Sequence, residues 1–167
     1  DKLTRRHPHV FGSGESRGAG DWEAIKATER AARGEHSLLD GIARAAPALS
    51  RAAKVGRRAA QVGFDWQDNE GVHAKIHEEL AEVAEAARAG DAARCEEEVG
   101  DLLLAVTSLA RHLHVDPETA LRRALAKFEA RFTTMESLAR EQGGDLQGRT
   151  AEQLDALWRQ AKDRVQG

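Results

Sequence analysis

Two acidic motifs are the places where this sequence could do chemistry: Glu78-Glu79-x-x-Glu82, with Glu85 one turn further on, and Glu98-x-x-Asp101 at the end of the run Glu96-Glu97-Glu98. On a helix turning by about 100° per residue, Lys75, Glu79 and Glu82 fall within an arc of roughly 60° beside an apolar stripe. Arg94, Glu98 and Asp101 repeat the arrangement, a cation one turn before two acids spaced by three. Acid runs on helices are commonly solvated faces. Against that reading, like charges at these spacings repel, and crowding four of them beside a core raises the cost unless cations neutralise them. Hard divalent cations such as Mg²⁺, with Mn²⁺ able to substitute, suit an all-oxygen site of this kind. The duplication of the pattern also speaks for a built site.

The elements that must position these acids read as helices. Residues 12–20, Gly-Ser-Gly-Glu-Ser-Arg-Gly-Ala-Gly, are too poor in apolar groups to fold, so residues 1–20 are expected to be a tail and flexible linker ending a preceding domain. Their Gly-x-Gly spacing follows no strand and lacks the third glycine of a dinucleotide loop. Residues 21–167 are expected to form one catalytic domain. Its helices are predicted over 21–33, 47–62, 71–89, 91–114, 116–142 and 150–165, with a Gly63-Phe64-Asp65-Trp66 turn after the second. Val72, Ile76, Leu80, Val83 and Ala87 make one stripe on the third helix. Val99, Leu102, Leu103, Val106, Leu109, Ala110 and Leu113 make another on the fourth. Gly90, Asp91 as N-cap, Asp116-Pro117-Glu118, Gly143-Gly144 and a Thr150/Gln153 capping box punctuate them. No strand pattern occurs. The expected fold is an all-α helical bundle with the site between two antiparallel central helices.

Composition supports this. In 167 residues hydrophobics make up 41% and aromatics 4%, Tyr is absent and Pro occurs three times, which favours helix and allows one sizeable core. A net charge of −3 gives no basis for nucleic-acid binding. The lone Cys95 cannot form an internal disulfide, and no apolar run is long enough for a membrane span, so a cytoplasmic protein without a membrane partner is expected. The chain opens at Asp1 without methionine and is expected to be a piece of something longer. His112 and His114 are two apart on a helix and face different ways. A ferritin-like di-iron oxidoreductase needs Glu-x-x-His on two helices, and only Glu70-x-x-His73 is present. Cys95 reads as a packed thiol, which leaves water as the nucleophile.

Taken together, Glu78-Glu79-x-x-Glu82 and, after fifteen intervening residues, Glu98-x-x-Asp101 resemble the metal motif of the all-α nucleoside triphosphate pyrophosphohydrolase superfamily. The wider chain resembles the C-terminal half of MazG proteins through Arg5-Arg6-His7-Pro8-His9-Val10-Phe11, Trp22-Glu23-Ala24-Ile25-Lys26, Val62-Gly63-Phe64-Asp65-Trp66, Gly100-Asp101-Leu102-Leu103, Lys127-Phe128-Glu129-Ala130-Arg131-Phe132 and Trp158-x-x-x-Lys162. The resemblance implies an intertwined homodimer that hydrolyses a nucleoside triphosphate to the monophosphate and pyrophosphate by water attack at the α-phosphorus. It implies Mg²⁺ on Glu79, Glu82, Glu98 and Asp101, with Glu78 or Glu79 orienting the water. Lys75, Arg94, Lys127, Arg131, Trp158, Lys162 and Lys26 would then surround the nucleotide. The alternative is a non-catalytic nucleotide-binding or dimerisation module of a larger MazG protein. Base preference, and the choice between removing aberrant nucleotides and lowering a signalling nucleotide, stay open at this level.

Overall fold

The structure is a computed structural model describing residues 37–166. The expected tail and linker, the first expected helix and Lys26 lie outside the described residues. All regular structure among the described residues is helical: α1 Ala48–Ala60, α2 Asn69–Ala89, α3 Ala92–His112, α4 Pro117–Glu141 and α5 Ala151–Gln166. None of these helices is long and apolar enough to cross a membrane.

Two compact units share this part of the chain. One comprises residues 37–46 and 54–65, the other 47–53 and 66–166, so α1 begins in the second and ends in the first. In the first unit the Arg58 guanidinium donates to the Leu38 carbonyl at 2.8 Å, and Gly63 turns the chain at φ 81°.

In the second unit α2, α3, α4 and α5 each start where a side chain can satisfy the first amides. The carboxylates of Asp68, Asp91 and Asp116 accept from the amides of Gly71, Arg94 and Thr119 at 2.9, 3.0 and 2.7 Å. Thr150 and Gln153 form the reciprocal capping box. A Cβ at Gly71 would stand 3.0 Å from Cδ1 of Trp66, so glycine lets the indole lie against the first turn of α2. Gly90, at φ 70°, stops α2 in the left-handed conformation that L side chains avoid. Asp91 caps α3 immediately afterwards, so the two helices fold back on each other as an antiparallel hairpin.

Close packing joins α2 to α3 and α4 to α5, while α3 and α4 touch only slightly. The main buried cluster belongs to the α4–α5 pair: Met135, Leu138, Ala139, Leu157 and Ala161, with Leu146, Leu154 and Trp158 against them. Arg149 ties its loop by donating to the carbonyls of Asp145 and Ala139 and to Oε1 of Gln142. Arg164 spans from α5 to both carboxylate oxygens of Glu141 at 3.0 Å.

The predicted stripe of α3 is covered only in part. Val99, Leu103, Val106 and Leu113 stand exposed, as does Leu104. The buried side of this helix is Ala105, Thr107 and Ser108, whose hydroxyls donate to the carbonyls of Leu103 and Leu104 four residues back. Leu80 on α2 and Leu121, Leu125 and Phe128 on α4 are likewise exposed. A periodic pattern identifies an apolar face without saying what covers it.

Candidate active site

The α2–α3 hairpin brings the two acidic motifs together. Oxygens of Glu78, Glu79 and Glu82 lie within 4.8 Å of one another, and so do oxygens of Glu79, Glu98 and Asp101. Glu79 belongs to both groups and is the most enclosed acid, 3% exposed. Its Oε1 pairs with Lys75 Nζ at 2.6 Å. Its Oε2 is buried with no hydrogen-bond partner. A buried charged oxygen without a donor is costly, so this atom fits a cation supplied from outside the chain. Glu78 and Asp101 are exposed, while Glu82 and Glu98 are half-buried.

Charge on the hairpin is balanced in part by the two cations predicted beside the acids. Lys75 also lies 2.6 Å from Glu78. Hydrogen bonds with Glu78 and then Glu79 raise its ammonium above the ordinary lysine value and keep it charged. Arg94 donates through Nε to Glu98 at 3.2 Å and through Nη2 to Glu85 at 3.1 Å, joining the end of α2 to the start of α3. Its hydrogen bond to Glu98, then the charge of Glu85, raises its pKa as well. Glu82 behaves differently. Desolvation, followed by the charges of Glu98 and Glu79, pushes its carboxyl above the ordinary range, with Lys75 acting in the opposite sense. The acids therefore stand close enough to work against one another, as a cluster built for cations does.

Of the remaining site residues predicted from the sequence, Lys26 lies outside the described residues and the others sit on α4 and α5. Lys127 is exposed on α4, and Arg131, Trp158 and Lys162 are half-buried on α4 and α5. Arg131 Nε is buried without a hydrogen-bond partner. The Trp158 ring lies 5.3 Å from Phe128, which stacks on Phe132 at 5.8 Å. These three rings, with Met135, Leu154 and Asp155, line an open pocket of about 260 Å³. The chain thus carries these acids on the α2–α3 hairpin and this cation and aromatic set on the α4–α5 pair, with slight contact between α3 and α4.

The parts played by three residues, Glu85, Phe128 and Phe132, were not legible in advance. The spacing puts Glu85 one turn after Glu82 but offers it no partner, and the hairpin supplies Arg94. Phe128 and Phe132 sit at i and i+4 in an otherwise ordinary helical pattern, and only the placement of α5 makes them part of a pocket.

Comparison with known proteins agrees with this picture. Residues 67–135, which hold both acidic motifs, match the MazG nucleotide pyrophosphohydrolase domain. The chain is 45% identical over 168 residues to a nucleoside triphosphate pyrophosphohydrolase of Escherichia coli strain K12, covering 97% of this chain and 64% of that protein. It is 47% identical over 162 residues to a nucleoside triphosphate pyrophosphohydrolase/pyrophosphatase MazG of Thermotoga maritima, covering 97% and 62%. A Bacillus subtilis protein, YabN, is 39% identical over 168 residues, 98% of this chain and 34% of its own length. The chain therefore spans less than two thirds of the length of these relatives.

Proposed function

The chain belongs to the MazG nucleotide pyrophosphohydrolase family, and from that premise we propose that it hydrolyses nucleoside triphosphates to monophosphate and pyrophosphate with Mg²⁺ held by Glu79, Glu82, Glu98 and Asp101. The observation that carries this reading is Oε2 of Glu79, a buried and unpartnered carboxylate oxygen where two acid groups overlap. Magnesium, when bound, supplies charge that balances the carboxylates and the triphosphate, and it acidifies the attacking water.

The chain's own residues do the rest. Glu78 is exposed and lies beside the ligating acids, so it takes the water's proton and aims the water at the α-phosphorus, while the enclosed Glu79 serves as a ligand. A triphosphate brings about four negative charges to an acidic site, so side-chain cations must hold its oxygens. Lys127, Arg131 and Lys162 are assigned that role. The buried, unpartnered Nε of Arg131 supports it. Trp158, with Phe128 beside it, offers the base a face for stacking.

Because these residues sit on α4 and α5 and exposed apolar side chains run along α3 and α4, the proposed working unit is a homodimer. One copy's acids and its partner's cations complete each site, and the apolar face is covered between them. Separation of products from ATP, with and without chelator, tests the activity. Mg²⁺-dependent formation of monophosphate and pyrophosphate in a ratio of one to one is the expected result. Nucleotide binding without turnover would favour the non-catalytic module, and a fully active monomer in light scattering would contradict the shared site.

A further inference from the structure

On both helices of the acidic hairpin, a cation pins one oxygen of the acid four residues later. Lys75 Nζ lies 2.6 Å from Oε1 of Glu79, and Arg94 Nε lies 3.2 Å from Oε1 of Glu98. The two acids so held are the enclosed ones, with side chains 4% and 13% exposed. In Glu79 the pairing leaves Oε2 as the oxygen without a donor, buried where the acids of α3 approach it. Arg94 is itself fixed from across the hairpin by Glu85. Its guanidinium is therefore engaged from two sides by carboxylates.

From this duplicated geometry we infer that Lys75 and Arg94 are positioning residues, which set Glu79 and Glu98 for metal binding, and that Glu85 acts through Arg94. The physical basis is that an enclosed carboxylate has several rotamers. A cation on one oxygen selects one rotamer and turns the other oxygen toward the cluster. This is the part played by outer-shell partners of metal ligands in general. The inference rests on the reading of these acids as a metal site, and it makes the opposite prediction to a phosphate-binding role for the same two cations.

The test is calorimetric titration of Mn²⁺ alone into the full chain, with no nucleotide present. Lys75→Met and Arg94→Met are each expected to weaken binding about tenfold, and Glu85→Gln to weaken it by a smaller factor through Arg94. Lys75→Arg and Arg94→Lys should recover part of the loss, and the Mn²⁺ concentration giving half-maximal turnover should shift in parallel. Cations that met only phosphate would repel the metal, so their removal would leave Mn²⁺ binding unchanged or make it tighter. That outcome in the methionine variants overturns the inference. If the methionine variants lose their helical circular dichroism, Glu85→Gln decides, and wild-type Mn²⁺ affinity in that variant overturns it. Absence of Mn²⁺ binding by the unmodified chain would remove the metal reading itself, a different failure from tight binding that the variants do not weaken.

Discussion

Replacing Glu79 by glutamine should separate the catalytic role of the acid cluster from any role in holding the hairpin together. The change keeps the side-chain volume, so no cavity opens around a residue that is 3% exposed. It removes one charge from both acid groups at once, leaving Glu78 with Glu82 and Glu98 with Asp101. A neutral amide is a poor ligand for a hard cation, so turnover should fall at least about 10²-fold, equivalent to about 2.7 kcal/mol of transition-state stabilisation. In the folded, chelated protein the sign is different. The amide oxygen can still accept from Lys75, and the buried position of Oε2, which has no donor in the structure, can become an N–H₂ facing acid oxygens within 4.8 Å. The melting temperature with chelator should therefore stay level or rise. Pyrophosphate release measures the first effect and thermal circular dichroism the second. Activity within a few-fold of the unmodified protein would refute the metal assignment. A fall in melting temperature beyond about 5 °C, roughly 1.5 kcal/mol for a domain of this size, would mean that Glu79 is structural.

Other expectations follow from neighbouring groups. Glu82→Gln and Asp101→Asn should each lower turnover at least about 10²-fold without loss of helicity. The folded chain holds the Glu82 proton more tightly than the unfolded chain, so its ionised form costs stability above the folded pKa and the cost disappears below the unfolded one. Glu82→Gln should therefore raise the melting temperature at pH 7 with chelator present, and the difference should close on acidification. Glu141 has the opposite sign: its hydrogen bond to Arg164 lowers its pKa from 4.5. The stability lost in Glu141→Gln should be seen at pH 7 and vanish as the pH falls through the folded pKa. Leu157→Ala should cost about 3 kcal/mol in urea unfolding, because its small neighbours Ala139 and Ala161 cannot fill the space. A cost below about 1 kcal/mol would show that this cluster does not hold α4 and α5 together.

The helices and their ends were readable because their signals are local. Asp91, Asp116, the Thr150/Gln153 box and Gly90 each act within a few residues, and each does in the structure what its type and place predict. The acid cluster was readable for a related reason, since the i,i+3 and i,i+4 spacings fix which side chains share a face and the two-residue turn fixes which faces meet. What could not be read depends on contacts between distant parts of the chain. The partner of Glu85, the unpartnered oxygen of Glu79 and the grouping of Phe128 with Trp158 all require tertiary placement. The burial of Thr107 and Ser108 beside an exposed Val106 shows the same limit. Hydrophobic periodicity alone ranked those positions the other way.

Water attack at the α-phosphorus of a nucleoside triphosphate, as proposed for the α2–α3 acid cluster, can be traced by hydrolysing ATP in ¹⁸O-water and weighing both products by mass spectrometry. One ¹⁸O in the monophosphate and an unlabelled pyrophosphate are expected. Label in the pyrophosphate, or diphosphate and orthophosphate as products, would contradict it.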